Sequence, residues 1–141
     1  MSNRRNIEKL PVVGDYMDRH VETLRPETDI LDAIGILLEK RVTGAPVVDK
    51  SGKLVGILTE KDCLRLVAVG VEGKLPLGSV ATFMTPNPES IPPDMDVYFA
   101  AGLFLKRTFR RFLVVEDGKL VGAITRFDIL RVIQANLALA R

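Results

Sequence analysis

Only one cysteine, Cys63, occurs in the 141 residues of the chain. A lone thiol cannot form an intrachain disulfide, and a reducing compartment fits it. Histidine is equally scarce: His20 stands alone, with no partner cluster, and is expected to be a surface or packing residue. No His–carboxylate pair, metal cluster, nucleophile–base arrangement or Walker loop can be assembled, so an enzyme is not expected and no catalytic cofactor is implied. The net charge is only +2, which gives no electrostatic reason for nucleic acid or an anionic membrane as a partner. Arg4 and Arg5 form a small basic start, expected as a solvated tail. The apolar runs are short and broken by charge, which excludes a transmembrane helix. The N-terminus lacks the apolar core of a signal peptide. The expected location is the cytoplasm.

Apolar residues are plentiful, at 47% against 27% charged. That is enough for one compact domain or two small fused repeats. Residues 1–12 read as a polar arm. Val13 to Met17 looks like one helical turn, and Val21 to Leu24 alternates as a short strand does. Pro26-Glu-Thr-Asp29 precedes an apolar run in the manner of a helix start. Ile30, Ala33, Ile34, Leu37 and Leu38 then recur at helical spacing, with Gly44 as the expected stop. Ala45 to Val48 is a strand opened near Pro46, Asp49 to Gly52 a turn, and Leu54 to Leu58 a strand expected to be buried on both faces. A helix over 60–69 closes the series, and 70–79 is a linker.

The order then restarts. Met84 follows Met17 by 67 residues and Pro93 follows Pro26 by 67; Gly118 follows Gly52 by 66, one turn residue having been lost. Between 52–65 and 118–131, nine of fourteen positions are identical, more than two apolar strands would share by chance. The chain is a tandem repeat, over 13–69 and 80–141. Each repeat runs strand–helix–strand–strand–helix.

Each repeat closes on one pattern: Gly56-Ile-Leu-Thr-Glu-Lys-Asp62 and Gly122-Ala-Ile-Thr-Arg-Phe-Asp128. A threonine at a strand's end, with an aspartate on the first turn of the next helix, supports two readings. Thr59 and Thr125 are suited to be N-caps, with Asp62 and Asp128 favourably placed in the first turn. Alternatively, the hydroxyl and the amides suit a phosphate, and the carboxylate suits the paired hydroxyls of a ribose.

Two units closed by Gly-x-x-Thr-x-x-Asp, with Arg41-Val-Thr-Gly-Ala-Pro-Val-Val-Asp49 and Arg110-Arg-Phe-Leu-Val-Val115, resemble a tandem pair of cystathionine-β-synthase (CBS) domains, the Bateman module. The resemblance runs from about Val13 to Val132. It implies an α/β (α+β) fold of two pseudo-symmetric β-α-β-β-α repeats packed sheet to sheet. It also implies a stand-alone regulatory module that binds AMP, ADP, ATP or S-adenosylmethionine between the repeats and modulates an unknown partner protein. Carried over residue by residue, the site centred on the second repeat is Thr125, Asp128, Arg110 and Arg111, joined by Thr28 and Ala33, with Arg126 and Arg107 as further phosphate candidates. Arg110 and Arg111 also fit an ordinary solvated edge, although guanidinium suits phosphate geometry. The mirror site has Thr59 and Asp62, with Thr43 and Gly44 where the arginines stand, and Met95 and Ala100 in place of Thr28 and Ala33. It lacks the cations and one hydroxyl, and Lys61 or Arg41 would have to compensate. One good site and one poor or empty one are therefore expected.

The family resemblance further implies a homodimer formed through helices. Ile36, Leu66, Val67, Leu103 and Ile133 read as apolar residues surplus to a monomer, against the alternative of a slightly larger monomer core. Cys63, opposite Ile129 in the second repeat, reads as a small core residue. Tyr16, Phe83, Met17 and Met84 read as packing staples. A module that keeps the repeat only for dimerisation, or one sensing S-adenosylmethionine or NADH, is the competing function.

Overall fold

The computed structural model describes residues 10–70, 74 and 77–140, with side chains given through residue 136. The basic start at Arg4 and Arg5, the arm up to residue 9, and linker positions 71–73 and 75–76 lie outside the described residues. In chain order the elements are α1 (Val13–Tyr16), α2 (Ile30–Lys40), β1 (Gly44–Val48), β2 (Leu54–Thr59), α3 (Glu60–Ala68), α4 (Val80–Phe83), β3 (Thr85–Pro86), β4 (Ser90–Ile91), α5 (Val97–Lys106), β5 (Arg111–Glu116), β6 (Lys119–Thr125) and α6 (Arg126–Ala140). The fold is α+β, with two three-stranded sheets ordered β1-β2-β3 and β4-β5-β6. Among the described residues no helix is long and apolar enough to cross a membrane.

The described residues divide into two compact units. One, the Asp62 unit, holds the described residues of 21–88 together with 118–120. The other, the Asp128 unit, holds 10–20, 89–117 and 121–140. The opening turn of each sequence repeat thus builds the unit that contains the other repeat's body. In the Asp128 unit, Val13 N–H donates to Met95 O and Gly14 N–H to Pro93 O, both at 2.8 Å, and Val97 N–H donates to Pro11 O at 2.9 Å. In the Asp62 unit, 67 residues out of phase, Val80 N–H donates to Thr28 O at 2.8 Å, Ala81 N–H to Pro26 O at 2.9 Å, and Ile30 N–H to Gly78 O at 2.9 Å. The exchange satisfies open amides at the starts of the short turns α1 and α4 and of the longer helices α2 and α5.

Within the Asp62 unit, β1 and β2 are antiparallel, from Gly44 opposite Thr59 to Val48 opposite Leu54. Beyond β2, β3 pairs Thr85 with Ile57. On the far side of β1, the strand expected over Val21–Leu24 is reduced to one parallel bridge between Leu24 and Val47. The Asp128 unit repeats these places. There β4 runs parallel to β5, with Ser90 opposite Leu113, and Asp18 bridges Ala123 on β6.

Met84 and Met17 explain the glycine of the closing pattern. A Cβ on Gly56 would lie 2.4 Å from Met84 Sδ; one on Gly122 would lie 2.7 Å from Met17 Sδ and 2.7 Å from the carbonyl of Asp18. Both methionines pack as expected, each against the glycine of the other sequence repeat.

The helices follow the apolar spacing only in part. Asp29 caps α2, accepting from the N–H groups of Leu31 and Asp32, and Ile30, Ala33 and Leu37 are buried. Leu38, expected on the same face, is 74% exposed, and its counterpart Leu105 on α5 is 90% exposed. The buried stripe is narrower than the spacing suggested, because each short helix covers one face of a three-stranded sheet. The stop of α2 is Arg41, in the left-handed conformation at φ 56°, with its N–H returned to the carbonyls of Leu37 and Leu38. Gly44, the expected stop, instead opens β1. Strand β2 is fully buried only at Gly56 and Leu58, and its other residues are half-buried, Val55 packing against the core, so its second face is covered only in part.

Candidate functional site

The two closing patterns fold into matched helix caps. In the Asp128 unit, β6 ends at Thr125 and α6 starts at the next residue. Thr125 N–H donates to Asp128 Oδ2 at 2.9 Å, its hydroxyl donates to the same oxygen at 3.1 Å, and Asp128 N–H donates back to Thr125 Oγ1 at 3.2 Å. Thr59 and Asp62 do the same at 2.9, 3.0 and 3.3 Å. These are capping boxes with aspartate in the third helical position, where it satisfies a strand-end amide that would otherwise go unpaired. The capping reading of the motif therefore holds in both repeats. Asp62 is 3% exposed and Asp128 8%, and burial of a carboxylate at this depth demands such partners.

Arginine supplies the remaining partner. Arg131 Nη2 donates to Asp128 Oδ1, and Arg65 Nη1 donates to Asp62 Oδ1 at 3.2 Å. Sequence reasoning missed both arginines as site residues. The signal was there: each belongs to the nine identities and stands three residues after its aspartate, on the same helix face. Asp62 has one donor more. The hydroxyl of Thr85, on β3, donates to Asp62 Oδ1 at 3.1 Å. Asp18 holds the matching place in the Asp128 unit; a carboxylate there has no proton to donate to Asp128.

Arg111 opens β5. The two-residue turn Asp117-Gly118 joins β5 to β6, so Arg111 and Thr125 stand at the same end of one hairpin. Arg111 is half-buried; burial pulls its guanidinium below the ordinary arginine value, and the charge of Asp18 pulls it back up. Arg110 and Arg126 are exposed. Arg107, a further phosphate candidate, is held by Glu89 through Nε at 3.1 Å. The Asp128 unit thus gathers Thr125, Asp128, Arg110, Arg111 and Arg126, and also Ala100, which is buried. The Asp62 unit contains Thr59, Asp62, Thr43 and Gly44, together with half-buried Thr28 and buried Ala33. Lys61 and Arg41 are exposed there.

A shallow groove of about 320 Å³ lies elsewhere in the Asp128 unit, against Gly14, Asp15, Arg19, Pro93, Asp94 and Glu116. It includes none of the capping residues. Cys63 is half-buried against the Asp62-unit core, and its thiol is pushed up first by burial and then by the charge of Asp62. The residues expected to be surplus sort differently from the expectation. Leu66 is 2% exposed and belongs to the core, because it follows Asp62 by one helical turn. Ile36, Leu103 and Ile133 pack partly against the cores, whereas Val67 is exposed. Other large apolar side chains stand out instead, among them Tyr98 and Phe99 on α5 and Phe127 and Leu130 on α6.

Two small α+β units, each closed by a strand-to-helix capping box of threonine and aspartate with an arginine on the acid, define a duplicated two-domain module. The CBS domain model matches residues 13–69 and again 79–135. The chain belongs to the CBS domain family and carries two copies of the domain. It is 31% identical over 151 residues to CBS domain-containing protein CBSX2, chloroplastic, of Arabidopsis thaliana, covering 84% of this chain and 62% of the relative. The chain therefore spans less than two thirds of that protein's length. It is 32% identical over 118 residues to CBS domain-containing protein YhcV of Bacillus subtilis, covering 83% of this chain and 81% of the relative. A crystal structure of CBSX2 in complex with AMP superposes with a TM-score of 0.74 at 34% identity, over 93% of this chain and 99% of that one. The CBS domain pair of protein MJ0100, in complex with 5-methylthioadenosine and S-adenosyl-L-methionine, gives a TM-score of 0.69 at 28% identity, over 91% and 99%.

Proposed function

We propose that the chain is a regulatory module that binds an adenine nucleotide (AMP, ADP or ATP) and, through it, changes the state of a partner protein. The observation that carries this reading is the end of the β5–β6 hairpin. A strand-end hydroxyl, a buried carboxylate and a half-buried guanidinium stand together there within one unit. Such a set matches the hydroxyls of a ribose and the charge of a phosphate. Asp128 and Thr125 are the ribose contacts, and Arg110, Arg111 and Arg126 are the phosphate contacts. AMP in the CBSX2 complex supports the ligand class. Thr59 and Asp62, with Thr43 and Gly44, form a weaker second set. Coupling between ligand and partner of this kind is typically about 1–3 kcal/mol. The reading assigns the chain a binding role and no catalysis, in a reducing compartment such as the cytoplasm.

Titration calorimetry with AMP, ADP and ATP tests it. One strong site per chain is expected, weakened at least tenfold by Asp128→Asn and by Arg111→Gln while the fold is kept. Two equal strong sites, or variants that bind like wild type, overturn it. Apolar side chains on α5 and α6 further support a homodimer; a light-scattering mass near 15.6 kDa would refute that part. A second reading, sensing of S-adenosylmethionine, draws support from the MJ0100 complex. A thermal-shift screen that adds S-adenosylmethionine and NADH separates the two. No shift with any adenosyl compound would leave dimerisation as the module's role.

A further inference from the structure

A carboxylate offers about four acceptor positions, two on each oxygen. At Asp62 all four are taken: Thr59 N–H and hydroxyl on Oδ2, Arg65 and the Thr85 hydroxyl on Oδ1. At Asp128 three are taken among the described residues, because Asp18 stands where Thr85 would donate, and of these residues Arg131 alone holds Oδ1. A ribose diol brings two donors. One open position takes one of them, so the second needs an occupant to leave. Thr125 N–H is backbone and stays; the hydroxyl proton could turn away, but Oγ1 is held by the Asp128 N–H and would then set a lone pair against Oδ2 at 3.1 Å. Arg131 is different. Its side chain is 58% exposed. Its guanidinium lies 5.8 Å from the ring centroid of Phe127, which is itself 67% exposed. It can swing to solvent, or stay over the ring, without burying a charge.

We propose that Arg131 is an internal occupant of the ligand's place on Asp128, and that it must leave the carboxylate for both ribose hydroxyls to bind. This rests on the reading of Asp128 as the ribose acceptor. Arg131 is then a gating residue that lowers affinity in the unliganded protein and keeps the buried carboxylate paired while the site is empty. The same count identifies Asp62 as the closed copy, since Thr85 would have to leave as well.

The test is calorimetric titration of wild type and Arg131→Met with AMP and with 2′,3′-dideoxy-AMP. Methionine keeps an apolar stem beside Phe127 and removes the donor. Arg131 is more than half exposed, so solvent screens much of its attraction to the buried carboxylate, and AMP should bind Arg131→Met about two- to fivefold more tightly than wild type. The dideoxy nucleotide, which has no diol, should bind both proteins alike. Binding of AMP by wild type, with equal or weaker binding by Arg131→Met, overturns the gating role and leaves the nucleotide site standing. Tightening of both nucleotides together overturns it too, since the effect would not pass through the ribose. Absence of AMP binding in both proteins overturns both readings, whereas binding gained only by Arg131→Met supports the gate. Matching circular dichroism spectra and a single cooperative melt for the two unliganded proteins show that the fold is shared, and Arg131→Lys, which keeps a donor, should bind AMP as wild type does.

Discussion

Phe112 and Ala45 hold the same place in the two compact units, as do Phe104 and Leu37. In the Asp128 unit the two phenylalanines pack with ring centroids 4.6 Å apart, and Phe109 meets Phe112 edge-on at 5.5 Å. The Asp62 unit fills the same space with aliphatic side chains. The polar places differ in a linked way. Where the Asp62 unit has Gly44 and Thr85, the Asp128 unit has Arg111 and Asp18. The hydroxyl of Thr85 donates to a buried acid, whereas Asp18 lends its charge to a strand-end arginine, and among the described residues Asp128 has one donor fewer. One pair of exchanges therefore moves polar capacity from the cap to the strand start. A duplicated scaffold can in this way hold two buried aspartates with different donor sets on one backbone plan.

The largest expected effect is in the core. Phe112→Ala, which makes the Asp128 unit match its twin, removes a side chain 1% exposed and should cost about 3–5 kcal/mol in urea unfolding. A cost below 1 kcal/mol would mean that the aromatic pair is not what fills that core. Next come the closing glycines. Gly122→Ala meets the Asp18 backbone, whereas Gly56→Ala meets only the methionine side chain. Gly122→Ala should therefore lose about 1–3 kcal/mol and Gly56→Ala measurably less; the reverse order would break the comparison.

The capping acids follow. Asp62→Asn turns a two-donor amide toward four donors, and Asp128→Asn toward three. Losses of about 1–3 kcal/mol are expected, larger for Asp62. Thr85→Val should cost about 1 kcal/mol by removing one donor to a buried acid, a smaller loss than that of Asp62→Asn by the same chemical-denaturation measurement. The smallest effect concerns Cys63. Its thiol, raised by burial and by Asp62, should alkylate with iodoacetamide more slowly than a free thiol at the same pH. The rate should rise only at higher pH, and Asp62→Asn should shift that rise downward.

Much of this was legible in the chain itself. The 67-residue phase, the closing Gly-x-x-Thr-x-x-Asp and the caps at Thr59 and Thr125 depend on spacing within a few residues, which local hydrogen bonding enforces. The stop of α2 was misplaced because Arg41, not a glycine, takes the left-handed position. Leu66 was misjudged because periodicity alone does not say which side of a short helix meets the sheet.

What the sequence alone determined is the duplicated plan and the pairing of each threonine with its aspartate, since both are short-range. Tertiary structure alone decided that each opening turn completes the unit of the other repeat, and that Thr85 reaches Asp62 across 23 positions. Those contacts depend on strand pairing between distant segments, and no local pattern carries the register of a partner that the chain meets only when folded.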